Sequence, residues 1–316
     1  MLESVSRNRF IETVSTHIFA NPNFLDCIAN LNDSKTIYFI FLEKEMPMVA
    51  FALMEKGSAI ISAKFYNNYS GLWIKQGLKE KKINQVLMQS IASLKNKYDD
   101  IKLVLPTNIV DVRPFKWEGF TVDIRYTYIK NLSELNFKTD VRRNYDKAIN
   151  ELKLTFSLSQ ITDDIWLNYI HQLKRIGFRN VIISLIQKWV TSLERNNLVF
   201  TFIIKNEINN EYLGSAIVLI DDLDNKAYLL YNHTFADDNQ SQTTAYLYVK
   251  LHHWLADKGY VCLDYLGANF KNIAEFKSNF NPELVPYFTV SYNAKRALFN
   301  NFKNNFKKRL KSIISS

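Results

Sequence analysis

The sequence predicts an α/β protein of the α+β type with two domains, and three observations lead to this prediction. The chain has 316 residues, more than most single domains contain. Hydrophobic residues make up 47% of it, which is enough for two cores. Each half also runs through apolar strands, a long helix, a short buried strand and a final strand, so the order of elements repeats.

The first half shows this order clearly. Residues 36–42 and 48–53 are aliphatic and aromatic runs separated by a charged segment that contains Pro47, which predicts a hairpin. Ile83, Leu87, Ile91 and Leu94 recur at helical spacing, so residues 78–98 should form an amphipathic helix. A buried strand is expected at 101–105 and a further strand at 121–130.

The second half begins with predicted helices at 141–152, 163–176 and 182–196. Three strands at 198–205, 212–220 and 227–232 should form an antiparallel meander. Residues 244–257 are apolar nearly all round, which predicts a buried helix that ends at Gly259. A strand at 261–266 and a short helix from Asn272 complete the pattern.

The positive charge is concentrated at the end of the chain. The net charge is +9, and no acidic residue follows Glu283. Seven cations lie in the tail: Lys295, Arg296, Lys303, Lys307, Lys308, Arg309 and Lys311. Apolar residues recur there every three to four positions, at Leu298, Phe299, Phe302, Phe306, Leu310 and Ile313. Residues 294–316 should therefore form a basic amphipathic helix, which either docks on the protein or lies on an anionic membrane surface.

Several classes of protein are disfavoured by the sequence. No uncharged apolar run reaches the length of a membrane span, and the first residues lack the apolar core of a signal peptide. Cys27 and Cys262 are far apart, without metal-ligand spacing, and only eight glycines occur, with no phosphate-binding loop. The sequence therefore predicts a cytoplasmic protein without a bound metal or a tightly bound cofactor.

Short motifs recur in a fixed order along the chain. Tyr69-Ser70-Gly71-Leu72 opens a strand in the first half. The stretch from Trp117 through Gly119 and Phe120 leads into Tyr126-Thr127-Tyr128. A basic segment follows, and it contains Arg142, Arg143, Lys147 and Ala148.

The last two motifs lie late in the second half. Asp264-Tyr265-Leu266-Gly267 follows the predicted buried strand, and Phe276-Lys277-Ser278-Asn279-Phe280 lies on the short helix. A lysine between two phenylalanines either extends its ammonium to water or offers it to a developing negative charge.

In this order and spacing, the motifs resemble those of the Fem-type (FemABX) acyltransferases, from about residue 7 to residue 290. The resemblance implies two GNAT-like domains, each a mixed, mostly antiparallel sheet flanked by helices. The N-terminal domain is then expected at 1–138 and a C-terminal domain with the active site at 139–293, followed by the basic helix at 294–316. It also implies an N-acyltransferase that moves an aminoacyl or acyl group to an amine of a peptidoglycan or polysaccharide precursor.

The resemblance also suggests site residues. It places Lys277 at the acyl-transfer centre. Asp264, Tyr265 and Tyr231 are candidates for a polar relay because they lie at the ends of two strands that should be neighbours. Arg142, Arg143 and Lys147 are candidates for contacts with the phosphates of a nucleotide-linked substrate.

The acyl donor stays open at this point. Founding members of the family use aminoacyl-tRNA, whereas related GNAT-like proteins use acyl-CoA. The sequence has neither the long helical arm of some tRNA-dependent members nor the GNAT pyrophosphate loop. Two alternatives to a Fem-like enzyme remain: an acyl-CoA-dependent GNAT enzyme that acylates an amino sugar, and a non-catalytic GNAT-like module that binds through its basic tail.

Overall fold

The computed structural model describes residues 1–14, 17–62, 69–175, 177–235 and 238–296. It divides into two compact units, residues 1–124 with 287–316 and residues 125–286. The predicted basic helix at 294–316 lies outside the described residues from position 297 onward.

The first unit contains a sheet with helices packed against it. Its elements in chain order are β1 (Leu2–Val5), α1 (Arg7–Thr13), α2 (Pro22–Asn32), β2 (Lys35–Glu43), β3 (Met46–Lys56), β4 (Ala59–Ile61), β5 (Gly71–Ile74), α3 (Glu80–Lys95), β6 (Asp100–Val104) and α4 (Arg113–Trp117). A short 3-10 turn at Ile18–Ala20 precedes α2.

The predicted hairpin of the first unit is confirmed as β2 and β3, and the predicted amphipathic helix is α3. Both residues of the hairpin turn, Lys44 and Glu45, have positive φ, as a tight two-residue turn between twisted strands requires. Strand β3 also pairs with β4 and β5, and β4 pairs in parallel with β6. The apolar face of α3 packs on this sheet through residues such as Leu87 and Ile91.

The strand β7 (Thr121–Asn131) leads from the first unit into the second. The second unit then contains α5 (Thr139–Glu151), β8 (Leu154–Ser159), α6 (Asp163–Arg175), α7 (Asn180–Arg195), β9 (Val199–Asn206), β10 (Tyr212–Asp221), β11 (Lys226–Thr234), α8 (Gln240–Asp257), β12 (Cys262–Asp264) and α9 (Lys271–Ser278). The last strand, β13 (Glu283–Asn293), returns to the first unit.

The sheet of the second unit is antiparallel from β8 to β11, and β11 then pairs in parallel with β12. Helices α5 and α8 cover one face, where Ala216 and Val218 belong to the same core as Leu247. Helix α6 covers the other face, because the hydroxyl of Tyr169 reaches Ser215 and neighbouring strand residues point to opposite faces. The fold class predicted from the sequence is confirmed.

The predicted domain boundaries differ from the two units. The chain changes unit at 124/125 and at 286/287, not at 138/139 and 293/294. The reason is strand pairing: Ile129 to Asn131 of β7 pair with β12, and Thr289 to Asn293 of β13 pair with β6. Strand β7 therefore begins in the first unit and ends in the second, whereas β13 begins in the second unit and ends in the first. The order of elements along the chain does not reveal this.

Candidate functional site

Strands β11 and β12 separate at one point in the second unit. Their parallel ladder ends at the pair Tyr228 and Asp264, although β11 continues to Thr234. The register on β10 shifts here, so that Leu230 is an extra residue on β11. After Asp264 the chain follows β7 instead, with hydrogen bonds from Tyr265 N to Tyr128 O and from Ala268 N to Tyr126 O. We call this opening, between residues 229–234 and residues 265–268, the splay.

Lys277 holds the turn on one side of the splay. Its ammonium donates to three backbone carbonyls, those of Tyr265 (2.6 Å), Leu266 (2.9 Å) and Gly267 (2.8 Å). The turn has positive φ at Leu266 and at Gly267. Burial lowers the pKa of Lys277 to about 8, and the nearby Asp264 carboxylate opposes this effect. Lys277 is therefore charged at neutral pH, and all three of its N–H groups are used by the turn.

The carboxylate of Asp264 binds the same turn. It accepts hydrogen bonds from the hydroxyl of Thr127 and from the backbone N–H of Leu266. The Thr127 hydroxyl accepts in turn from the N–H of Gly267 at 3.2 Å. The structure thus brings Asp264 and Lys277 together, as the sequence predicted, and their contacts fix the backbone at residues 265–267.

Tyr265 follows Asp264 in the chain, but its side chain points into the core on the α8 side. Its hydroxyl lies 2.5 Å from Nε2 of His252, whose Nδ1 contacts the carbonyl oxygen of Tyr248. A carbonyl can only accept, so Nδ1 carries the proton of the neutral ring and Nε2 accepts from Tyr265. The tyrosine hydroxyl is thereby committed to a buried partner.

The buried His252 should make the protein sensitive to acid. Burial lowers its pKa from 6.5 to about 3, so the unfolded chain takes up a proton that the folded chain refuses. The free energy of unfolding should fall by about 2 kcal/mol between pH 7 and pH 5, as measured by urea titration.

The variant His252→Gln should lose this part of the pH dependence. His253→Gln, at the exposed neighbour, is the matched control and should retain it. An unchanged slope in His252→Gln would mean that other groups cause the acid sensitivity.

Tyr231 lies on the other side of the splay, within a group of polar side chains. The ring of Tyr169 from α6 contacts Tyr231 (6.0 Å between centroids) and His233 (6.3 Å). The hydroxyls of Tyr169 and Tyr212 both meet the Ser215 hydroxyl, each at 2.7 Å. This group, which we call the α6 cluster, consists of Tyr169, Tyr212, Ser215, Tyr231 and His233.

Sequence reasoning found only Tyr231 of the α6 cluster. Tyr169 lies within the helix predicted at 163–176, but that prediction gives it no polar role. The pairing of Ser215 with His233 depends on the register of β10 and β11. Alternation along two strands could have placed both on one face, but not opposite each other.

The three cations predicted to bind phosphate lie on one exposed side of α5. Arg142, Arg143 and Lys147 line a shallow depression of about 420 Å³ together with Asp146 and Glu151. Arg143 is also paired with Asp140 at 3.0 Å. The structure thus groups these cations with each other, without a contact to the Lys277 turn.

The described ranges contain neither a metal site nor a membrane span. Those residues contain no group of three His, Cys, Asp or Glu side chains that could hold a metal ion. Within the same ranges, no helix combines the length and hydrophobicity that a membrane span requires.

Comparison with solved structures identifies the class of fold. A tandem GNAT protein from the clavulanic acid biosynthesis pathway has a TM-score of 0.51 with this chain at 10% identity, and the match covers 93% of this chain and 99% of that one. The second unit's antiparallel strands and the parallel pair at the splay therefore belong to a tandem GNAT fold. No protein-family profile matches the chain, and no curated protein sequence does.

A more similar structure within this class is FemX. Its TM-score is 0.67 at 14% identity, and the match covers 95% of this chain and 99% of FemX. The C-terminal domain of a protein described as a lysylphosphatidylglycerol synthetase, from Agrobacterium fabrum, has a TM-score of 0.53 at 12% identity, with 90% and 95% covered. The predicted resemblance to the Fem-type proteins is thus confirmed at the level of the fold.

Proposed function

We propose that the protein is a Fem-like N-acyltransferase, which transfers an aminoacyl or acyl group to an amine of a peptidoglycan or polysaccharide precursor. The observation that carries this proposal is the similarity to FemX over nearly the full length of both chains. The name of the Agrobacterium protein, a lysylphosphatidylglycerol synthetase, denotes transfer of an aminoacyl group to an envelope component. Three of the segments that suggested the Fem-type family in the sequence, residues 126–128, 264–267 and 276–280, also meet at one side of the splay.

Acyl transfer of this kind requires no covalent intermediate with the protein. A neutral amine attacks the carbonyl carbon of an activated ester or thioester, so the enzyme must position both substrates, relay a proton and stabilise the oxyanion. We assign the relay to the α6 cluster, with Tyr231 among its members. We assign to Asp264 and Lys277 the positioning of the 265–267 turn, and to Tyr265 the anchoring of that turn in the core.

The donor that we favour is an aminoacyl-tRNA. The long helix next to the splay, α8, begins at Gln240 directly after Asp238 and Asn239. A helix N-terminus attracts phosphate through its N–H groups, but the Asp238 carboxylate repels a pyrophosphate there. This charge counts against a CoA thioester bound at α8.

Transfer assays with labelled donors test the proposal. The purified protein is offered either a set of aminoacyl-tRNAs or a set of acyl-CoA thioesters, with nucleotide-linked muropeptides and amino sugars as acceptors, and products are identified by mass. Aminoacyl transfer to an amine supports the proposal. Transfer from CoA thioesters alone supports the GNAT alternative, and no transfer from either donor contradicts an enzymatic role.

The α5 cations provide a second readout in the same assay. If Arg142, Arg143 and Lys147 bind the phosphates of a nucleotide-linked acceptor, replacing all three by Gln should raise its KM about tenfold or more while kcat changes little. Replacement of Lys188 and Arg195 on α7 and of Lys258 directly after α8, three exposed cations, removes the same charge and is the control.

The basic tail gives a further proposal, peripheral contact with an anionic membrane where lipid-linked precursors are found. Most of the tail lies outside the described residues, so its support is the sequence pattern alone. Sedimentation with phosphatidylglycerol vesicles at low salt tests it. Equal binding of the full chain and a chain ending at Asn293 would contradict the membrane role. Loss of function in the shorter chain, with no effect of changes at Asp264 and Lys277, would favour the non-catalytic binding module.

A further inference from the structure

A groove lies between α3 and α4 in the first unit. Its volume is about 690 Å³, and it is lined by residues from the first half of α3 together with Arg113 and Trp117 of α4. Arg113 contacts Glu80 at the beginning of α3, and Lys95 at the end of α3 donates to the carbonyl oxygen of Glu118 at 2.7 Å. The two helices therefore run side by side in the same direction.

Trp117 belongs to the motif at residues 117–120, but its side chain is not part of the core. Helix α4 is anchored by Pro114 and Phe115, which are both buried, whereas Trp117 is 57% exposed. All five tryptophans of the chain lie in the described ranges, and the other four are buried or half-buried. Folding thus leaves one indole ring in water at the wall of the groove.

Arg113 fixes the position of this ring. Its guanidinium donates to Asp111 at 2.9 and 2.7 Å and also to Glu80, and it lies over the ring of Trp117 at 5.7 Å from the centroid. A guanidinium can stack on an aromatic face while its N–H groups bind carboxylates in the same plane. One face of Trp117 is therefore occupied, and the rest of the exposed ring is held ready for a planar ligand.

The charges at the groove favour an anion. Lys79 and Lys81 are exposed, and among the described residues no ion pair involves either of them. Glu80, which lies between them, is paired with Arg113. The lining residues therefore carry three cations against one carboxylate, and the sum stays positive when Asp111 is counted as well. No side chain caps the first N–H groups of α3, which adds to the attraction for an anion at this end of the helix.

An amide oxygen in the wall of the groove lacks a donor. Asn84 lies one turn after Glu80, lines the groove and is 9% exposed. Its Oδ1 accepts no hydrogen bond from any described residue. Buried acceptors without a donor are rare in native proteins, and an N–H group of a ligand would satisfy this one. The groove thus combines an aromatic ring, unneutralised lysines and an unused acceptor.

This combination is the one with which proteins bind unpaired nucleotides. Bases stack on aromatic side chains while cations follow the phosphates, and the edges of unpaired bases form hydrogen bonds with the protein. A bilayer surface is flat and would not enter a groove. We propose that the groove binds unpaired nucleotides of an RNA strand, with a base stacked on Trp117 and the phosphates on Lys79 and Lys81. The identity of that RNA, the tRNA of the aminoacyl donor, rests on the proposed function.

Tryptophan fluorescence and the anisotropy of a labelled RNA test the stacking. The full-length protein is titrated with an oligoadenylate of about eight nucleotides, within the range that single-strand sites cover. The wild-type emission should be quenched on binding. Trp117→Phe should lose the quenching but keep its Kd within about threefold, because phenylalanine still offers a ring face, whereas Trp117→Leu should raise Kd about tenfold. Both variants should melt like the wild type, because the side chain is exposed.

The salt dependence tests the lysines. In the double variant Lys79→Gln and Lys81→Gln, the slope of log Kd against log salt should fall by about 1.4, because each phosphate contact with a single strand contributes about 0.7. The matched control replaces Lys35, at the beginning of β2, and Lys44, directly after its end, by Gln. It removes the same charge and should leave the slope unchanged.

Two further probes separate RNA from other anions. Quenching by UDP as strong as that by the oligoadenylate would mean that the groove binds a free nucleotide. Quenching by phosphatidylglycerol vesicles that is lost in Trp117→Phe would mean that it contacts a membrane. Either result overturns the inference, and so does a wild-type Kd for RNA in Trp117→Leu.

The transfer assay separates this inference from the proposed function. Trp117→Leu should raise the KM for aminoacyl-tRNA about tenfold and leave kcat and the KM of the acceptor unchanged. Aminoacyl transfer with an unchanged KM for the tRNA would exclude the groove from donor binding while the proposed function stands. RNA binding that depends on Trp117 in a protein without transfer activity would contradict the proposed function and leave the RNA site standing.

Discussion

Replacing Lys277 by methionine should lower the free energy of unfolding by about 3 kcal/mol. Methionine fills a similar volume but donates no hydrogen bond, so the three carbonyls at residues 265–267 lose their common partner. Leaving buried carbonyls unpaired costs about 1–3 kcal/mol each, and water reaching the turn would recover part of that loss. Urea titration at pH 7, where the ammonium is charged, measures the effect.

Lys271→Met is the control on the same helix, α9. Lys271 forms an exposed i,i+4 pair with Glu275 at 3.8 Å, and such pairs contribute at most about 0.5 kcal/mol. If Lys277→Met is as stable as this control but has lost its turnover, Lys277 acts on the reaction itself and not through the turn. If both stability and turnover are unchanged, the contacts of Lys277 contribute neither to the stability of the protein nor to the reaction.

Replacing Gly71 by alanine should destabilise the first unit by about 3 kcal/mol. A Cβ atom at this position would lie 2.4 Å from the carbonyl oxygen of Ala52 and 2.8 Å from that of Phe19. Both atoms belong to the backbone, so the clash can be relieved only by shifting β5 relative to β3 and to the turn before α2. Forced overpacking of this kind costs about 1–3 kcal/mol and occasionally more.

Gly77→Ala makes the same chemical change where there is room. Gly77 has a φ of 78° and no atom within 4 Å of a Cβ, so alanine there meets only backbone strain of about 1–2 kcal/mol. Both variants reduce the freedom of the unfolded chain equally, so the difference between their urea midpoints reports the clash at Gly71 minus the backbone strain at Gly77. Equal midpoints would show that relieving the clash at Gly71 costs no more than the backbone strain at Gly77.

Most of the elements could be predicted from the sequence because their signals are local. The apolar residues of α3 repeat at the helical period, and the runs of β2 and β3 flank a charged turn. The passage of β7 and β13 from one unit into the other could not be predicted in this way. The pairing of β7 with β12 and of β13 with β6 joins residues more than a hundred positions apart, and no local pattern encodes such a partner.

The candidate site shows the same limit. Asp264 and Lys277 were expected to be close, and they are, because a short connection returns α9 to the end of β12. Tyr265 was expected beside them, yet its side chain points to the opposite face, as the alternation of side chains along a strand requires. His252 lies on a helix that is apolar nearly all round, and a helix without an amphipathic pattern does not indicate that this ring contacts the hydroxyl of Tyr265.

The sequence by itself determined the class of fold, the position of most helices and strands, and the motifs that surround Lys277. Periodicity, turn residues and spacing are properties of neighbouring positions, so they can be recognised without knowledge of the fold. The tertiary structure decided what the motif residues do. It joined the Lys277 ammonium to three carbonyls and set His233 opposite Ser215. These arrangements depend on strand register and on the point where two strands part, and both are set by packing across the whole unit.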